Sequence, residues 1–325
     1  MNADRTAPGR ADDALVELRH GARRVLLAPH VGGAIAAFFD AREPHEGGAL
    51  HWLRPATVDA LIARNPLGMA SFPLVPYCNR IRDARFMFDG ALVDLSRDGN
   101  AFPHALHGNG WRRPWRVDAV SDASARLSLT HVPSQEPAHH WPFAFEAAQD
   151  IALDAQSLTV TMSLRNVSDR PMPFGLGHHP YFPRTAHTVV RTGVGSMWHT
   201  TPEPLPTHAG PHPCIDALAS PQGMSADAFD LDNNFTGWSR ESTIAWPREH
   251  RSVTLRADAP FDFTVIYAPA SHGSLLCVEP VSNVADWVNL DVDASLKGGG
   301  VLAPGESVSA RFSLTPEWGR AVRVA

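Results

Sequence analysis

Leu158-Thr159-Val160-Thr161-Met162-Ser163-Leu164 alternates apolar and polar residues without a break, and Val308-Ser309-Ala310-Arg311-Phe312-Ser313-Leu314 repeats the pattern near the C-terminus. A period of two puts every apolar side chain of such a segment on one face, so each reads as a strand with one buried side. Phe261, Phe263, Val265 and Tyr267 extend the pattern, Leu127 and Leu129 give a shorter case, and Leu275 to Val281 reads as a strand buried more continuously. Helical periodicity is scarce. The spacing predicts one short helix over Thr57 to Ala63 and another starting at Ser225 as N-cap before Ala226 to Phe229. The 28 prolines and 24 glycines are spread as punctuation between short strands, and the proline-rich stretches 133–142 and 202–213 read as loops. With no internal repeat to suggest a propeller or solenoid, the expected architecture is all-β, a large antiparallel sandwich. Residues 1–12 are polar and read as a flexible tail, leaving 13–325 as a single domain.

Composition narrows the function. Hydrophobic residues make up 44% of the chain and charged residues 19%, enough apolar material for a large core and no mark of disorder. A net charge of -6 points away from nucleic acid and toward a small neutral ligand. The cysteines, Cys78, Cys214 and Cys277, are odd in number, widely spaced and form no CxxC pair, so neither a disulfide framework nor a zinc site is expected. Neither a secretory leader nor a membrane-length apolar run is present, and the expected location is the cytoplasm.

Most of the 17 histidines read as ordinary hydrogen-bonding groups. Four segments stand out. Asn79-Arg80 closes an apolar run, where a guanidinium fork suits sugar hydroxyls. His107-Gly108 lies in a turn beside Trp111. In Gly177-His178-His179-Pro180, proline biases His179 toward extended backbone, so the paired histidines face opposite ways and only one reaches a given pocket. Glu279 ends an apolar strand, where burial raises a carboxyl toward the range of a working base. His104, His107, His178, His179 and Glu279 also raise a metal-dependent reading, although no close His-x-His pair occurs.

In order along the chain, Asn79-Arg80-Ile81, His107-Gly108, His179-Pro180-Tyr181-Phe182, Leu231-Asp232 with Phe235, Glu279-Pro280 and Leu302-Ala303-Pro304-Gly305-Glu306-Ser307 are similar to the aldose 1-epimerases, or galactose mutarotases, over roughly residues 70–315. The resemblance implies a galactose mutarotase-like supersandwich whose concave face holds an aldose, needing no cofactor or metal. It implies Glu279 as general base, His179 as general acid and His107 at the ring-oxygen side. Asn79, Arg80, Asp232 and His178 are the expected substrate contacts. Glu279 is expected ionised and His179 protonated, each favouring the other's charge. A phosphorylated hexose, with Arg80, Arg82 and Arg85 as phosphate ligands, and a silent carbohydrate-binding module are the alternatives. No nucleic-acid or membrane partner is expected, and the chain is expected as a monomer or homodimer.

Overall fold

The computed structural model describes residues 14–42, 48–96, 103–135 and 141–319. The tail 1–12 and part of the loop 133–142 lie outside them. Leu158–Asn166 and Ser307–Trp318 are adjacent antiparallel strands, with Val160 opposite Phe312 and Met162 opposite Ala310. Leu158, Val160, Met162, Leu164, Ala310, Phe312 and Leu314 are buried and the polar residues between them at least partly exposed, as the alternation requires. They form the middle of a nine-stranded sheet that runs from Arg116–Val120 at one edge to Met224–Ser225 at the other.

A seven-stranded sheet covers the buried side. Its order is Pro206–Gly210, Ser196–Thr200, Leu231–Thr236, Phe263–Ala268, Cys277–Val281, Gly177–His178 and Pro73–Leu74. Phe312 of the first sheet touches Phe261 and His178 of the second layer, with ring centroids 6.3 Å and 5.1 Å apart. The architecture is therefore the all-β antiparallel sandwich expected, with a four-stranded N-terminal sheet, Val16–His20 through Leu50–His51, beside it. No helix among the described residues is long and apolar enough to cross a membrane.

Local departures have physical causes. The first helix forms as expected: Val58–Ile62, with the Thr57 hydroxyl accepting from the Ala60 N–H at 3.1 Å. After Ser225 there is only a 3-10 turn, Ala226–Ala228, closed by the Phe229 N–H on the Ala226 carbonyl, and the chain leaves it extended at Phe229. Within 202–213, expected as loop, Pro206–Gly210 is a strand. It sits at the sheet edge with proline as its first residue, where the missing N–H costs no ladder bond. Phe263–Ala268 is buried on both faces, Thr264 and Ile266 being as inaccessible as Val265, because it runs through the centre of its sheet.

Candidate active site

Three neighbouring strands supply the floor of a cleft on the outer face of the seven-stranded sheet. Their register aligns Asp232, Tyr267 and Cys277 in one cross-strand row and Asn234, Val265 and Glu279 in the next. The segment 177–181 continues the sheet: Gly177 lies opposite Val281 and Tyr181 opposite Cys277, which brings His179, midway between, across from Glu279. Gly177 is required here, since a Cβ would stand 2.6 Å from the Cys78 Sγ and 2.9 Å from Val281.

The pairing closes into a contact: His179 Nε2 lies 3.3 Å from Glu279 Oε1, and both residues are buried. The imidazole is held in an aromatic cluster, stacked on Phe72 and on Tyr181 with ring centroids 4.7 Å away in each case, the Phe72 and Tyr181 centroids being 6.3 Å from one another. The Arg54 guanidinium lies 3.9 Å from the Tyr181 ring centroid, and its Nη2 donates to the carbonyls of Leu67 and Met69 at the cleft rim.

Burial pushes the Glu279 carboxyl well above the ordinary range, with the Asp232 charge adding to the rise and Arg80 opposing it. Burial also lowers His179 to about 3, and the Arg54 charge adds to that fall. Desolvation thus opposes the charged pair expected from sequence and favours the neutral form of each group. At 3.3 Å the two groups face one another directly.

The opposite wall comes from two crossing segments. Arg80 and Leu106 pair in a two-stranded ribbon, Arg80–Ile81 with Ala105–Leu106. The Asn79 N–H donates to His107 Nδ1 at 3.0 Å, which leaves the His107 proton on Nε2. Burial, then the neighbouring His179 and Arg80 charges, keep His107 well below its ordinary value, so it is a neutral hydrogen-bond donor. Asn79 and His107 both adopt left-handed backbone, and so does Gly108, where a Cβ would meet the Val75 carbonyl at 2.4 Å. Arg80 Nη2 bonds Asp232 Oδ2 at 3.2 Å, while Asn79 Oδ1 accepts from the Arg80 backbone N–H and Nη1.

Asn79, Arg80, His107, His179, Asp232 and Glu279 thus line one cleft. His178 does not, and its expected place among the substrate contacts is corrected. It points between the sheets, where Nδ1 accepts from the Ser71 hydroxyl and Nε2–H donates to Gln149 Oε1. Gln149 is oriented by its own donation to the Gly33 carbonyl, so the tautomer is fixed. The arginines named for a phosphate are each engaged by a separate carboxylate: Arg80 by Asp232, Arg82 by Asp286 and Arg85 by Asp94. Sequence reasoning missed Tyr267, Leu67, Leu106, Val265 and Leu275 of the cleft, and Arg54 and Phe72 behind it. Tyr267 and Val265 carried a usable signal, since strand alternation puts them on the same face.

The cleft has a volume of about 270 Å³, at the small end of ligand sites, which suits a single ring rather than a chain of rings. The family model described as aldose 1-epimerase matches residues 14–315. The uncharacterized protein YphB of Escherichia coli K12 is 30% identical over 288 residues, covering 84% of this chain and 94% of YphB. A solved Escherichia coli K12 structure, provisionally named an aldose 1-epimerase, superimposes with a TM-score of 0.81 at 26% identity, over 94% of this chain and 99% of its own. A galactose mutarotase-like protein of Clostridium acetobutylicum shares the fold with a TM-score of 0.81 at 19% identity, over 94% of this chain and 95% of its own.

Proposed function

The chain belongs to the aldose 1-epimerase family, and we propose that it interconverts the α and β anomers of a free hexose. The observation that carries this reading is the His179–Glu279 contact at the head of a polar, ring-sized cleft. A cyclic aldose is a hemiacetal. Opening it takes a proton off the anomeric hydroxyl and delivers one to the ring oxygen, the work of one base and one acid. In the proposed cycle the pair's proton crosses to His179 as the sugar hydroxyls solvate the Glu279 carboxylate. Glu279 then removes the anomeric proton, His179 protonates the ring oxygen, and the bond from C1 to that oxygen breaks to give the aldehyde. Rotation about the C1–C2 bond presents the other carbonyl face, and closure with the roles reversed yields the opposite anomer.

The charge states favour this sequence. Burial that raises Glu279 makes its carboxylate a stronger base, and burial that lowers His179 makes its imidazolium a stronger acid. Proton transfer to and from the sugar returns the pair to the neutral form the buried site prefers, so the open-chain stage gains from the same desolvation. His107 is proposed to donate Nε2–H to the ring-oxygen side, with Arg80, Asp232 and Asn79 binding the remaining hydroxyls.

Separate carboxylates on Arg80, Arg82 and Arg85 leave no pooled positive charge for a phosphate and favour the unphosphorylated sugar. A silent binding module has no use for two groups driven to exchange one proton. Polarimetry on freshly dissolved free hexoses and their 6-phosphates, with the spontaneous rate subtracted, is the test. Acceleration is expected for a free hexose, and no acceleration with any sugar sinks the reading.

A further inference from the structure

We propose that the head of the cleft is also a binding site for a thiophilic divalent cation, held by Cys277, Glu279 and His179, and that such an ion competes with the sugar. The strand period places Cys277 and Glu279 on one face of Cys277–Val281, and the register brings His179 alongside from the neighbouring segment. The ligating atoms of all three lie within 4.8 Å of one another, and all three residues are buried. His179 Nε2 and Glu279 Oε1 are 3.3 Å apart, which matches the edge of a tetrahedron whose ligands sit about 2.0–2.1 Å from zinc. Three protein ligands with the cleft as the fourth side is the pattern of an open zinc site, where a water or a sugar hydroxyl completes the shell.

The donor set sets the preference. Thiolate, imidazole and carboxylate together suit zinc, whereas magnesium and calcium favour all-oxygen shells. On binding, the Cys277 thiol and the Glu279 carboxyl release their protons to solvent, the thiolate and carboxylate bond the metal, and the ion takes the positions through which His179 and Glu279 exchange a proton. His179 Nδ1 is buried with no hydrogen-bond partner among the described residues, so no hydrogen bond there has to break when Nε2 turns to a metal. The other imidazole cluster is less suited. His199 and His208 stack face to face at 4.5 Å and 7°, His199 Nε2 donates to the Pro211 carbonyl, and His212 Nδ1 accepts from the Cys214 N–H.

The predicted inhibition rests on the acid–base reading above; the binding does not. The experiment adds zinc to the metal-free full-length chain and follows stoichiometry by calorimetry, the zinc shell by X-ray absorption, and mutarotation by polarimetry. Expected are one zinc per chain, a sulfur at about 2.3 Å, and inhibition that a chelator or excess sugar relieves. Magnesium is expected to have no effect. Cys277→Ser is expected to weaken zinc binding by at least about 100-fold, since outer-shell changes alone cost about 10- to 100-fold. Its inhibition is scored against its own metal-free rate. A shell without sulfur, unchanged affinity in Cys277→Ser, or full activity at saturating zinc overturns the proposal. The absorption experiment needs no variant and stands even if Cys277→Ser folds poorly. A wild-type chain that binds zinc through sulfur yet accelerates no sugar sinks the acid–base reading and leaves the metal site intact.

Discussion

His178 and His179 are consecutive residues, both buried and both held neutral, with burial lowering each to about 3. Their surroundings are nonetheless opposite. His178 lies between the two sheets with both ring nitrogens satisfied, by Ser71 and Gln149. His179 lies on the cleft side with one nitrogen against Glu279 and the other unpartnered. A fully satisfied imidazole is a fixed structural part. An incompletely satisfied one, facing a group driven the opposite way by the same burial, is free to exchange a proton. A low proton affinity is therefore no mark of catalysis on its own, and the partner on the other ring nitrogen separates the two roles.

The strongest way to break the contrast is to remove the groups on the cleft side. Glu279→Gln and His179→Ala are each expected to lower enzyme-catalysed mutarotation by about 10²–10⁴-fold, the usual worth of a positioned acid or base. Glu279→Gln, nearly the same shape, is expected to leave circular dichroism and melting close to wild type, whereas His179→Ala opens a void beside Phe72 and Tyr181, so its rate is scored per folded molecule. Wild-type rates in either variant, with the spontaneous reaction subtracted, would remove that residue from the mechanism.

The reverse pattern is expected at His178. His178→Ala leaves the Ser71 hydroxyl and the Gln149 carbonyl oxygen buried without their partner and opens a void, a loss of about 2–5 kcal/mol. Chemical denaturation measures it, and the rate per folded molecule should fall only a few-fold. The effect depends on pH with a definite sign. The folded value is depressed, so the stability from burying neutral His178 is complete above about 6.5, the unfolded value. It is lost as the pH falls from there toward about 3. The acid-side decline of stability should accordingly be shallower in His178→Ala. A variant of normal stability and greatly reduced rate would place His178 in the cleft after all.

How much of this was legible follows from what each signal encodes. Alternation marked the strands at 158–164 and 308–314 because each has one wet face and one dry face. It also forced the two histidines apart. It could not say which faced the sugar, since that depends on Tyr181 meeting Cys277 and Gly177 meeting Val281, pairings made across about a hundred residues of chain. The strand at Pro206–Gly210 was hidden because Pro206 and the prolines flanking the strand read as turn formers, and only its edge position makes Pro206 tolerable. Asn79, Arg80, His107, Asp232 and Glu279 were found through short motifs whose residues contact the cleft directly. Arg54 had no local signal, because it acts through the Tyr181 ring and the rim carbonyls.

Arg54 gives the smallest expected effect and the finest test of what keeps His179 apart from His178. Its guanidinium lies on Tyr181, which stacks on His179, and its charge opposes protonation of His179. Other charged or titratable neighbours of that imidazole are Glu279, His107, Cys277 and Tyr181. Arg54→Met removes both the contact on Tyr181 and the charge. A cation–π contact is worth about 0.5–2 kcal/mol, so the rate should fall by no more than about 30-fold. His179 should also accept a proton more readily, moving the acid limb of the pH–rate profile upward from about 3 toward the ordinary histidine value. Arg54→Lys keeps the charge but not the planar fork on the Leu67 and Met69 carbonyls, so the limb should hold while the rate still drops. If both variants lose stability in parallel and neither moves the limb, Arg54 only braces the rim, and Phe72 and Tyr181 alone set the surroundings of His179.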